Sequence, residues 1–274
     1  MKVLAGIVTY NPEKDRLCEN IQAISPQVDL VVIWNNGGPL ELDYKDNLLI
    51  LPNEGGQNLG IAAALNKLCD YGFQHGFDWI VTLDQDSIVP DTLVSAYLPY
   101  TTQSSIGMLC PCIVDRNYGS MAYDTGAEGA KTEIVDACIT SASMLSLSAW
   151  KDVGGFWDDL FIDMVDFDIC WSLQEKGYTI LRINDVSLLH EIGHSRKVRF
   201  FGKEEVVFNH NPSRCYYMIR NMLIVGKKHN RLKKCQRWAA KRFLLISVYE
   251  SEKLKKIRMM IKGFRDGIKF NAHS

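Results

Sequence analysis

Along the first hundred positions, apolar residues fall into short β-branched runs separated by longer segments with helical spacing. Residues 3–10, 30–35, 48–51 and 79–83 predict strands. Residues 12–24 and 60–76 predict helices, the second rich in Ala and Leu and closing near Gly72 and Gly76. This alternation predicts an α/β fold, a mostly parallel sheet with helices on both faces. Past residue 100 the pattern loosens. Residues 106–111, 138–147, 178–183 and 186–190 predict further strands, the polar stretch 115–124 a loop, and residues 164–176 a helix stopped by Gly177. No internal repeat and no low-complexity segment interrupts the chain.

Parallel sheets bind ligands at the carboxyl ends of their strands. Three of the first four predicted strands end in polar clusters: Thr9-Tyr10-Asn11, Asn35-Asn36-Gly37-Gly38 and Asp84-Gln85-Asp86-Ser87. A site along that edge is the expectation. Asp84 and Asp86, two carboxylates at i and i+2 leaving a very apolar strand, suit one hard divalent cation (Mg²⁺ or Mn²⁺) that keeps room for substrate phosphates. A plain acidic turn is the alternative.

Two other chemistries compete. His190-Glu191-Ile192-Gly193-His194 matches the H-E-x-x-H pattern of a zinc hydrolase. That chemistry needs both histidines on one face of a regular helix, whereas this motif follows a strand-like run and contains Gly193. Gly37-Gly38 and Gly55-Gly56 belong to neither G-x-G-x-x-G nor a Walker A run, so ATP or NAD use has no support.

Charge changes the picture of the C-terminal part. The 274 residues carry a net charge of −1, but residues 1–225 hold 16 basic and 29 acidic side chains, and residues 226–274 hold 15 and 3. An acidic body with a basic tail points to an anionic partner for the tail. In that tail Leu254, Ile257, Ile261, Phe264 and Ile268 recur at spacings of three and four, surrounded by Lys253, Lys255, Lys256, Arg258, Lys262, Arg265 and Lys269. A basic amphipathic helix of this kind seeks an anionic membrane surface. No nucleic-acid-binding module accompanies it, so nucleic acid is not expected. A helix docked on the acidic body is the other reading.

Upstream, Arg214, Tyr216, Tyr217, Arg220 and Asn221 form a basic-aromatic patch suited to a sugar or lipid phosphate, or to helix packing. The apolar fraction of 47% excludes disorder, and no apolar run approaches the ~18 residues of a membrane span. The N-terminal apolar stretch is too short for a signal peptide, so the expected location is the cytosol. Eight cysteines, none in a C-x-x-C pair, predict reduced core thiols.

Seven segments, in order, resemble the inverting GT-A nucleotide-sugar glycosyltransferases of family two, and within them the bacterial rhamnosyltransferases. They are Val8-Thr9-Tyr10-Asn11, Trp34-Asn35-Asn36-Gly37, Asn58-Leu59-Gly60-Ile61-Ala62-Ala63-Ala64-Leu65-Asn66, Leu83-Asp84-Gln85-Asp86-Ser87, residues 161–170, His190-Glu191-Ile192-Gly193 and residues 214–221. The resemblance covers roughly residues 3–225. It implies a GT-A, Rossmann-like domain over 1–225, with a nucleotide-sugar half (1–100) and an acceptor half (101–225), followed by a basic helical tail (226–274).

The resemblance also implies roles. Asp166 is the catalytic base; Thr9, Tyr10, Asn11, Asn35, Asn36, Asn58, Gly60, Asn66, Asp84, Gln85 and Asp86 bind the donor; Asp86 and His190 serve the metal or diphosphate. Arg214, Tyr217, Arg220 and Asn221 face the acceptor. Asn35 stands where the family has the Asp that contacts the nucleobase, and Val165 and Ser172 replace the usual Glu and Arg. The function implied is rhamnosyl transfer from dTDP-rhamnose to a cell-surface polysaccharide or lipid-linked glycan at the inner membrane face. The same fold with UDP-hexose or UDP-galactofuranose is the nearest alternative; a zinc hydrolase and a noncatalytic glycan- or membrane-binding module are those of another class. Acceptor, linkage and any homo-oligomer are left open by the sequence.

Overall fold

The computed structural model describes residues 1–42, 47–53, 55–115, 130–190, 196–200 and 202–270. In chain order these form β1 (Val3–Thr9), α1 (Lys14–Ile24), β2 (Leu30–Asn35), β3 (Leu48–Leu51), α2 (Gly60–Gln74), β4 (Trp79–Asp84), α3 (Leu93–Tyr97) and β5 (Ile106–Asp115). There follow β6 (Thr132–Ile134), β7 (Ser143–Ser146), α4 (Leu147–Asp152), α5 (Val165–Glu175), β8 (Thr179–His190), β9 (Arg196–Phe200) and β10 (Lys203–Val207). Three helices close the chain: α6 (Pro212–Lys228), α7 (Leu232–Tyr249) and α8 (Lys253–Lys269). The chain divides into two compact units, Met1–Asp159 with Ile169–Glu191, and Leu160–Asp168 with Ile192–Ser274. The expected boundary after residue 225 falls within α6.

The first unit holds an eight-stranded sheet in the order β3-β2-β1-β4-β7-β5-β8-β6. β3, β2, β1 and β4 are parallel, β7 is antiparallel to both of its neighbours, and β6 is antiparallel to β8. Every residue of β1 is buried, because helices cover both faces. Val3, Ala5 and Ile7 pack with Leu17, Ile21 and Ile24 of α1 and with Leu93 and Tyr97 of α3. On the opposite face Gly6 leaves room for Leu68 of α2, whose side chain lies 3.2 Å from where a Cβ would sit. Truncating Leu17 or Ile21, both fully buried, to Ala costs about 2–5 kcal/mol by the usual core increments.

Two expected elements differ. Of residues 138–147 only Ser143–Ser146 pair as β7. The preceding residues make a hydroxyl-bonded turn, with Ser143 Oγ donating to the Ile139 carbonyl (2.6 Å), Thr82 Oγ1 to that of Thr140 (2.6 Å), and Ala142 at φ 59°. Residues 178–183 and 186–190 join into the single strand β8, irregular opposite Pro111 and Cys112. There Asn184 donates its side-chain Nδ2 to the Ala130 carbonyl at 2.8 Å and its backbone N–H to that of Lys131 at 2.9 Å. The polar stretch expected at 115–124 lies, after Asp115, outside the described residues. All eight cysteines are free thiols.

In the second unit β9 and β10 form an antiparallel hairpin beside three helices. α8 packs on α6 through its small residues. A Cβ on Gly263 would collide with the Tyr216 carbonyl oxygen, and one on Gly267 would lie 3.0 Å from that of Arg220. The buried face of α8 is therefore Lys256, Met260, Gly263 and Gly267. The apolar row read from the sequence points elsewhere: Leu254, Ile261, Phe264 and Ile268 are exposed. Lys256 is 1% exposed and paired at 2.8 Å with both Glu250 Oε2 and Asn209 Oδ1. Among the described residues no helix is long and apolar enough to cross a membrane.

Candidate active site

In the first unit β2, β1 and β4 are adjacent and end nearly level, with Thr9 opposite Asn35 and Val8 opposite Asp84. An amide network closes these ends. Thr9, fully buried, donates its hydroxyl to Asn35 Oδ1 (3.0 Å), which also accepts the Gly37 N–H (3.0 Å). Asn35 Nδ2 donates to the Gly38 carbonyl (2.6 Å). Asn36 is buried and internally satisfied, accepting from Trp34 Nε1 (2.9 Å) and Leu59 N (3.2 Å) and donating to the Gly60 carbonyl (3.1 Å). Asn58 accepts the Gly60 N–H at 2.8 Å. Asn11, at φ 47°, accepts from Gly38 N at 3.4 Å.

Exposed at this edge are Tyr10, Asn11, Gly38, Gln57, Asn58 and Asp86. Gln85 acts inward, its Oε1 accepting the Tyr10 N–H at 2.8 Å. The turn after β4 is held from α1, where buried Asn20 donates to the Asp84 carbonyl (2.7 Å) and Arg16 Nε to that of Asp86 (3.2 Å). The sequence reading missed both; neither stands in a motif, and only the packing of α1 brings them to the β4 end. The Asp86 carboxylate points to solvent with no hydrogen bond or ion pair among the described residues.

One exposed carboxylate at a strand end, with Asp84 two residues before it, suits a Mg²⁺-type ion that takes its other ligands from water and diphosphate. Among the described residues there is no group of three or more His, Cys, Asp or Glu side chains arranged for a metal. The backbone of His190 ends β8 opposite Asp115; its side chain and residues 191–194 of the H-E-x-x-H motif lie outside what is described.

Asn66 does not join the strand-end network. Its Oδ1 accepts from Trp150 Nε1 (3.0 Å) and Phe156 N (2.8 Å), and its Nδ2 donates to the Phe156 carbonyl and Asp158 Oδ1 (both 2.7 Å). All four hydrogen-bonding positions of the amide are used within the first unit.

In the second unit Asp166 is half-buried in the first turn of α5. The segment before it is unusual: Phe161, Asp163 and Met164 have φ of 59°, 65° and 64°. Left-handed backbone at a non-glycine residue costs about 1–3 kcal/mol each and persists only where neighbours enforce it. Asn221 of α6 is fully buried, and its Nδ2 donates to the carbonyls of Leu160 and Ile162 (2.7 Å each) and Asp163 (3.1 Å). Arg214 lays its fork on the Asp163 carboxylate (Nη2 at 3.1 Å, Nε at 3.3 Å). Tyr217 stacks on Phe161, with centroids 5.1 Å apart. Arg220 donates to Asn221 Oδ1 (2.9 Å) and lies over the Phe270 ring. The four residues read as an acceptor surface are thus brought together here, in contacts within the unit.

Asp168 is a further residue the sequence did not single out. It is fully buried, held by Lys228 Nζ (2.8 Å) and His229 Nε2 (2.8 Å) from the end of α6. Nearby in sequence to Arg214, His210 stacks on Phe208. Burial, then the Arg214, Arg242 and Lys256 charges, lower its pKa to about 3.

No family model matches the chain. In sequence it is similar to the dTDP-rhamnosyl transferase RfbF of Shigella flexneri, 28% identical over 244 residues covering 83% of this chain and 81% of that protein. In fold it is similar to S. aureus TarS 1-349 in complex with UDP-GlcNAc (TM-score 0.62, 13% identity, 98% of this chain and 81% of that one). GalNAc-T7 with UDP, GalNAc and Mn²⁺ also matches (TM-score 0.59, 12% identity, 100% and 57%). The chain has the GT-A-like fold of these solved structures, and its sequence is similar to that of a rhamnosyl transferase. Within this fold the mixed sheet, with β7 reversed between β4 and β5, sets the strand ends along which the first unit's polar groups collect.

Proposed function

We propose that this glycosyltransferase moves rhamnose from dTDP-rhamnose to a glycan or lipid-linked acceptor, with inversion at the anomeric carbon. The observation that carries the reading is the 28% identity over 244 residues to a dTDP-rhamnosyl transferase, which spans most of both chains. The exposed groups at the ends of β1 and β2, Tyr10, Asn11 and Gly38, bind the nucleotide. Asn35, whose Oδ1 already accepts from Thr9 and Gly37, offers the base its remaining Nδ2 hydrogen, and buried Thr9 and Asn36 hold the edge in shape. Asp166 takes the proton of the attacking acceptor hydroxyl as the nucleoside diphosphate departs from the opposite face of the sugar. Asp86, with Asp84 and His190, would hold a divalent cation, which when bound offsets negative charge on the leaving diphosphate.

Asp166→Asn keeps shape and removes the base. Donor binding by calorimetry should persist while transfer falls about 10²-fold or more; transfer at the wild-type rate rejects Asp166. A screen of dTDP-rhamnose against UDP-hexoses and UDP-galactofuranose, with Mg²⁺ or Mn²⁺ and with EDTA, tests donor and cation together. Turnover with UDP sugars alone replaces the donor assignment.

The place of action we assign is an anionic, cytoplasmic membrane face, met by α8. Leu254 (85% exposed), Ile261, Phe264 and Ile268 form an exposed apolar row flanked by Arg258, Lys262, Arg265 and Lys269. The flanking cations complement anionic lipid and oppose pairing of this face with a second copy of itself. Replacing Leu254, Phe264 and Ile268 together with Gln should abolish sedimentation with anionic vesicles at low salt. Undiminished sedimentation removes α8 as the anchor.

A further inference from the structure

The backbone leading into the helix of Asp166 is fixed by side chains of α6 whose hydrogen-bonding groups are already committed. Asn221 spends one NH₂ group on three carbonyls, those of Leu160, Ile162 and Asp163, and its oxygen on Arg220. It is 0% exposed, so no donor of this side chain reaches a ligand. Arg214 applies two nitrogens to Asp163, whose carboxylate is itself mostly buried. Between these anchors Phe161, Asp163 and Met164 hold left-handed φ, and Asp166 follows Met164 by two residues. A return of φ at Met164 to the right-handed region rotates the chain by roughly 120° immediately before the turn that carries Asp166.

We propose that Asn221 and Arg214 are positioning residues for Asp166. By clamping residues 160–164 in their left-handed course, they fix the direction in which the first turn of α5 presents its carboxylate. This rests on the reading of Asp166 as the base. The helix α6 thereby acts on the chemical step through the backbone and not through contact with the acceptor.

Hydrolysis of the donor separates the two roles, because water then replaces the acceptor while the same base is needed. The measurement is dTDP release from dTDP-rhamnose (or nucleotide release from a UDP sugar, if wild type hydrolyses that instead), with kcat and donor KM determined for each variant. Asn221→Ala should lower kcat by about 10²-fold, the loss a misplacement of about 1 Å can cause. Arg214→Met should lower it about tenfold, and Arg214→Lys, which restores charge without the fork, should recover part of that. Donor KM should stay at the wild-type value throughout.

Asp166→Asn is run alongside. If it has lost hydrolysis while Arg214→Met and Asn221→Ala hydrolyse at the wild-type rate, the positioning role is wrong and the base stands. If Asp166→Asn hydrolyses normally, the base reading falls and the positioning role with it. The helical circular dichroism and cooperative urea transition of each variant check that it is folded. Should Asn221→Ala fail that check, the two Arg214 variants, at a side chain 39% exposed, decide the question.

Discussion

The strand ends of the first unit and the 160–168 segment of the second both hold polar side chains in fixed directions, by opposite means. At the strand ends the work is done mostly by neutral amides, over sequence distances from 2 residues for Asn35 and Gly37 to 75 for Tyr10 and Gln85. Asn35 bonds Gly37 and Gly38, Asn36 bonds Trp34, and Asn58 bonds Gly60. The parallel ladder supplies the rest of the order. In the second unit charges dominate and partners are distant in sequence. Asp163 meets Arg214 51 residues away, and Asp168 meets Lys228 60 residues away. Lys256 and Glu250 pair in a fully buried site. A neutral network costs little to desolvate and leaves groups at its rim for a ligand, whereas buried charge is tolerable only while both partners are present. The second unit is accordingly the more brittle of the two to single substitutions.

The strongest test of that contrast is Glu250→Gln, which strands the buried Lys256 ammonium. Urea unfolding should show a loss of about 3–5 kcal/mol, and the double replacement Glu250→Leu with Lys256→Met should recover much of it. If the single change is as mild as a surface substitution, the pair does not stabilise the unit in this way. Gly263→Ala comes next. Its methyl group would meet the Tyr216 carbonyl oxygen where α8 crosses α6, and overpacking of this kind costs about 1–3 kcal/mol, read as a lowered Tm. An unchanged Tm would mean that the two helices separate without penalty.

A pair of glycines probes the first unit. A Cβ on Gly37 would lie 2.7 Å from Asn11 N and 2.8 Å from Asn11 Oδ1, whereas one on Gly38 meets nothing within 4 Å. Gly37→Ala should weaken dTDP binding about tenfold, roughly 1.4 kcal/mol, and Gly38→Ala should leave it unaltered. Equal effects would show that the network does not shape the nucleotide site.

A titration tests His210. Its folded pKa, near 3, lies below the 6.5 of the unfolded chain, so the unfolded state binds the proton first as pH falls. Stability is therefore unaffected above pH 6.5 and declines between about 6.5 and 3, with a slope approaching 1.4 kcal/mol per pH unit. His210→Phe should flatten the decline measured from pH 7 to pH 5; an identical slope in the variant assigns it to other groups.

Much of the first unit was legible because its order is local. The strands 30–35 and 48–51 and the helix from Gly60 fall where β-branched runs and helical spacing put them. The polar strand ends then align because parallel strands in register must end side by side. Less could be read where side chains capture backbone groups, as at the Ser143 turn and the Asn184 irregularity. Asn66 looked like part of a donor motif, but its amide is used by Trp150, Phe156 and Asp158, up to 92 residues away.

The sequence by itself determined the α/β alternation, the edge on which polar groups gather, and the charge asymmetry between the two parts of the chain. Each follows from steric preference, hydrophobic period or simple counting, which need no knowledge of neighbours in space. Only the tertiary structure decided that Arg214 and Asn221 turn inward upon residues 160–163, that Asp168 is buried with Lys228 and His229, and that α8 packs by its glycines. Those outcomes depend on which groups lie within about 3 Å once the chain has folded. Hydrogen bonds and close backbone contacts are lost over an ångström or so, and the spacing of residues along a chain does not encode distances that fine.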